Sequence, residues 1–65
     1  MQDLNDLTQE EVQDQLILLL SRQMEVNVAL KNAVKQHNRP RVLQLIAELE
    51  GILRQVDEYA DRLED

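Results

Sequence analysis

Beginning at Val12, residues at alternating steps of four and three read Val12, Leu16, Leu19, Gln23, Val26, Leu30, Ala33 and His37. That is the period of one helical face, with polar residues interrupting it at Gln23 and His37. A second apolar column beside it runs through Ile17, Leu20, Met24, Val28 and Val34, so this helix has more apolar surface than a single seam uses. From Val42 the pattern resumes without a break as Val42, Leu45, Leu49, Ile52, Val56, Tyr59 and Leu63, flanked by Ile46, Leu53 and Ala60. Three apolar positions per heptad mark a bundle helix, because the seam of a two-stranded coiled coil needs only two. The spacing therefore predicts two long helices, each with more than one neighbour to face.

The ends of these helices are also written in the sequence. Thr8-Gln9-Glu10-Glu11 fits a capping box, in which the Thr8 hydroxyl accepts from the Glu11 amide and the Glu11 carboxylate reaches back to the Thr8 amide. Leu7 and Val12 supply the hydrophobic staple around it. Pro40 cannot sit inside a helix and biases Arg39 away from helical geometry, so the first helix is expected to stop at His37 or Asn38. Asn38 suits the left-handed position after a helix, and Pro40 suits the first position of the next. The expected plan is a single domain over residues 1–65, with an arm over 1–7, helices over about 9–37 and 40–64, and a turn at 38–39. So short a connection folds the helices back as an antiparallel hairpin.

Composition adds a problem of stability. The chain has 65 residues and no cysteine, and chains of this size bury too little surface to be comfortably stable without a staple. Disulfides and thiolate metal sites are excluded, so oligomerisation is the staple left. The fold class expected is all-α, a hairpin of two long helices self-associating into a four-helix bundle. Leu16, Ile17, Leu20, Met24, Leu45, Ile46, Leu49, Ile52, Leu53 and Val56 are the residues expected to drive that association. In an isolated hairpin Ile17, Leu20, Met24, Ile46 and Leu53 are those left for exposure. The longest unbroken apolar run, Leu16 to Leu20, is far short of the roughly 20 residues a membrane helix requires. With no secretory leader pattern and no cysteine, a cytoplasmic location is expected.

Charge is distributed unevenly. The formal net charge of −6 disfavours nucleic acid and anionic membrane as partners, both of which select for a surplus of Lys and Arg. Yet Lys31, Lys35, Arg39 and Arg41 stand together with no acid between Glu25 and Glu48, while residues 1–14 and 57–65 are rich in Asp and Glu. The second helix thus carries bases at its positive end and acids at its negative end, against the preference of the helix dipole. In a hairpin the bases gather at the turn and the acids at the open end, so two hairpins attract when laid turn to open end. A nucleic-acid regulator working through the basic turn is the second class of function to weigh. The architecture resembles, at the level of fold alone, small four-helix regulators that bind RNA; against that class stand the acidic balance, the lack of stacking aromatics and the scatter of only four bases around the turn.

No catalytic pattern emerges. His37 is the lone histidine, with no His, Cys or carboxylate three or four residues away to share a metal, and a helix-capping role suits it better. Ser21 and Thr8 have no base nearby in sequence, and the terminal carboxylates lack a cleft that would make a pair of them a catalyst. The chain is read as a non-enzyme without cofactor or metal. Gln23 with Asn27 either forms a register-fixing polar layer or merely flanks the core. Gly51, four residues from Ala47, either admits a partner helix closely or is a tolerated surface glycine. Leu43, Ala47 and Gly51, with Lys31, Lys35, Arg39 and Arg41, form the candidate partner surface. The function expected is a small adaptor or regulator, pairing with itself and with another protein by helix packing; a chaperone-like subunit completed by a different protein is the alternative within that class.

Overall fold

The computed structural model describes residues 7–63; nearly all of the expected arm, and Glu64 and Asp65, lie outside them. Two helices, α1 (Gln9–Lys35) and α2 (Arg39–Ala60), pack against one another as an antiparallel hairpin. Thr8 caps α1, its hydroxyl accepting from the Glu11 amide at 3.1 Å. Only this half of the expected capping box is formed.

The turn begins earlier than the sequence suggests and occupies residues 36–38. Gln36 ends α1 and His37, not Asn38, takes the left-handed conformation, with φ of 54°. The His37 amide donates to the Val34 carbonyl and the Asn38 amide to the Ala33 carbonyl, both at 3.0 Å. These two crossed bonds are the Schellman closure, which satisfies the last carbonyls of α1. Asn38 is thereby released to start the next helix, and its side-chain oxygen accepts from the Arg41 amide at 3.3 Å. Arg39 is the first helical residue and Pro40 the second, one place later than expected. Proline is tolerated there because amides of the first turn have no intrahelical acceptor in any case.

At its other end α2 stops at Ala60, short of the end expected from the spacing. The Arg62 and Leu63 amides donate to the Tyr59 and Ala60 carbonyls, tightening the chain into a turn. No basic residue occupies the last turn of α2, where Asp57 and Glu58 meet the negative end of the dipole instead. Leu63, assigned by its spacing to the seam, is consequently 41% exposed. Arg62 partly compensates by donating to the Glu58 carbonyl at 2.9 Å, and its own carbonyl accepts from the Gln9 side chain at 2.7 Å. That last bond ties the start of α1 to the end of α2.

The core is thin. Val26, Ala33, Leu45 and Ile52 are buried together, with Leu19, Ala29, Leu30, Val42, Leu49 and Val56 packed around them at the helix interface. Val12 is buried towards the open end. No polar side chain is buried among the described residues, and Gln23 and Asn27 are half-buried at the margin. No polar layer therefore crosses the hairpin. His37, placed on the seam by its spacing, is exposed at the turn.

Candidate functional site: an uncovered apolar face

One ion pair orients the whole surface. The Arg22 guanidinium donates to the Glu48 carboxylate across the hairpin at 2.7 Å, and approaches Glu25 at 3.5 Å. At about 100° per residue, Arg22, Glu25 and Ala29 lie on one flank of the Val26 line on α1, and Leu16, Leu20 and Asn27 on the other. On α2 the same turn places Arg41 and Glu48 on one flank of the Leu45–Ile52 line, and Ile46 and Leu53 on the other. Because Arg22 meets Glu48, the two polar flanks share one side of the hairpin. The two apolar flanks must share the opposite side.

That opposite side is left open. Ile17 is 62% exposed, Met24 70% and Leu53 45%, with Leu20 and Ile46 also exposed; the five residues left over by the spacing are all uncovered. Val28 and Val34, absent from the candidate association set, are exposed as well. Val28 follows Met24 by one turn, so the step of four that linked Met24 to Leu20 was the signal for including it. Leu16 is half-buried at the edge of this face, and Asn27 is a half-buried polar interruption in it. The remaining members of the association set are used within the hairpin: Leu45 and Ile52 are buried, and Leu49 and Val56 are half-buried against them. They support the face from behind. A contiguous apolar surface of this kind on so small a molecule is the usual mark of an interaction site.

The other candidate surface is divided. Leu43, Ala47 and Gly51 follow one another along the outer side of α2, and a Cβ added at Gly51 meets nothing within 4 Å. Within the hairpin nothing requires a glycine there. The four bases do not form one patch: Arg41 lies on the polar flank and donates to Gln44 at 3.0 Å, whereas Arg39 lies in line with Ile46 and Leu53 on the apolar flank. Lys31 continues the same face on α1, with Lys35 at its outer edge. All four are exposed. On the polar side Leu18 is the isolated apolar residue, one turn before Arg22, and single exposed leucines are common.

The polar side also holds a shallow depression of about 130 Å³, lined by Arg22, Glu25, Val26, Ala29, Arg41 and Glu48. It is smaller than the several hundred Å³ typical of small-molecule sites. Among the described residues no group of three or more His, Cys, Asp and Glu is placed to hold a metal ion. None of their helices is long and apolar enough to cross a membrane. What fold and surface define together is a helical hairpin polar on one side and apolar on the other. Comparison with protein-family models, with curated proteins and with solved structures gave no match to this chain.

Proposed function

We propose that this chain is a non-enzymatic helical interaction module, a small adaptor or regulator that works by packing its apolar face against other helices to complete a four-helix bundle. The observation behind this reading is the one-sidedness of the exposure: Leu20, Met24, Ile46 and Leu53 lie on the side opposite the Arg22–Glu48 pair, and Ile17 and Val28 extend that surface around the outer side of α1. Covering each of those side chains is worth up to about 1.5–3 kcal/mol of transfer free energy, a strong bias towards association. A bundle of helices acts through such surfaces, since recognition of a helix in a groove needs apolar anchors at helical spacing and little else. The division of the basic residues between two sides weighs against a nucleic-acid interface, which requires a continuous positive track.

The test is a photoactivatable side chain at Leu20, compared with one at Gln55, which lies seven residues past Glu48 on the polar flank. The expected result is covalent capture of a polypeptide, this chain's own copy included, from Leu20 and none from Gln55. Equal capture at both positions, or none at Leu20, would remove the apolar face from the account.

A further inference from the structure

The exposed chemistry of each helix is nearly symmetric about its middle. On α1, Leu20 and Met24 are centred on Arg22, and Ile17 with Val28 is centred on the peptide between Arg22 and Gln23. Further out on the same centre, Glu10 is balanced by Lys35. On α2, Ile46 and Leu53 are centred on the peptide between Leu49 and Glu50, and Arg39 is balanced by Ala60 and Asp61. The Arg22–Glu48 contact at 2.7 Å holds these two centres at the same height in the hairpin. A single two-fold axis, lying across the face at that height, therefore maps apolar onto apolar in both helices and base onto acid at both ends.

We infer that the occupant of the apolar face is a second copy of this chain, laid turn to open end, with α1 against the partner's α1 and α2 against the partner's α2. This rests on the reading of the face as a helix-packing surface and specifies what covers it. Under the axis, Leu20 of one protomer packs beside the Met24 position of the other, and Ile46 beside the Leu53 position. Lys35 then approaches the second copy's Glu10, and Arg39 its Asp57 and Asp61. Glu50, nearest the axis on α2, lies between the Asp57 and Asp61 lines and so sits near the second copy's Glu50, a local repulsion that the two Arg39 contacts oppose. The alternative, with the two turns at one end, sets α1 against the second copy's α2 at matching heights. Lys35 would then face Arg39, like charge on like charge. The bases at the start of α2 and the acids at its end, each misplaced for their own helix, are well placed for the antiparallel copy.

The full chain, sedimented at micromolar concentration, should run as two chains. It contains no cysteine, so a Gln36→Cys variant carries one spin label at the exposed turn. The two labels should lie about 40 Å apart, whereas a pairing with both turns at one end brings them within about 20 Å. Charge gives the second arm. Arg39→Glu puts an acid at the start of α2 and so favours the helix itself, yet it should weaken the dimer roughly tenfold at low salt and less as salt is added. Asp61→Arg added to it should restore most of the loss. A mass other than two chains, a short label distance, or dimerisation indifferent to Arg39→Glu each overturns the inference. A chain that sediments alone but is captured through Leu20 by a different polypeptide overturns the second copy and leaves the face reading standing. Failure of both overturns both.

Discussion

Arg22 and Glu48, 26 positions apart in sequence, meet at 2.7 Å and are the one ion pair joining α1 to α2 among the described residues. Both side chains remain partly in water, so the pair orients the hairpin more than it holds it together. A double-mutant cycle on Arg22→Ala and Glu48→Ala should return a coupling of about 0.2–1 kcal/mol that falls as salt is raised. A coupling unchanged by salt would place the pair in a drier setting than the hairpin provides.

Stability should depend on the buried line of α2. Leu45 is 2% exposed, and Leu45→Ala removes its packing against the α1 side of the core, at a cost of about 2–5 kcal/mol. Leu18, 62% exposed on the polar flank, should tolerate the same change within roughly 0.5 kcal/mol. Urea unfolding of the two variants at one protein concentration makes the comparison, and similar midpoints would contradict the arrangement of the core.

His37 has φ of 54°, a conformation that suits glycine and strains a β-branched residue. His37→Gly should raise stability by about 0.5–1 kcal/mol, and His37→Val should lower it by about 1 kcal/mol or more. Thermal melts of both variants check the sign in each direction. Two losses of equal size would mean that the imidazole, and not the backbone, matters at the turn.

Gly51 is a helix-interior glycine with open space where a Cβ would stand. Gly51→Ala should therefore stabilise the purified chain by about 0.5–1 kcal/mol through its helix propensity. A loss of stability instead would reveal a chain packed closely against the outer side of α2.

Much of this architecture was legible in the sequence because the apolar period is long and its breaks are few. The columns through Leu45 and Ile52, and the excess line through Ile17, Leu20 and Met24, came directly from spacing, and Thr8 from its capping signature. The turn was less legible because two residues suited to special conformations, His37 and Asn38, stand side by side. Asparagine is the commoner left-handed residue, but only one of the pair can also cap α2, and the Arg41 amide takes the Asn38 oxygen. Leu63 misled for a different reason, since its spacing matches the seam while α2 has already ended at the acids that precede it. That the two surplus columns share one side was also hidden. It depends on which flanks meet across the hairpin, and the contact between Arg22 and Glu48 that decides this spans the turn.

The Gln9 side chain bonded to the Arg62 carbonyl at 2.7 Å closes the hairpin where its two ends lie side by side. A force pulling those two points apart would load this end of the hairpin first, then the layer at Val12, and then each layer in succession towards the turn. Mechanically the hairpin is a zipper, resisting with one layer at a time. Pulled instead from its turn and one end, it would carry the load along the backbone of a single helix and leave the layers between the helices unloaded.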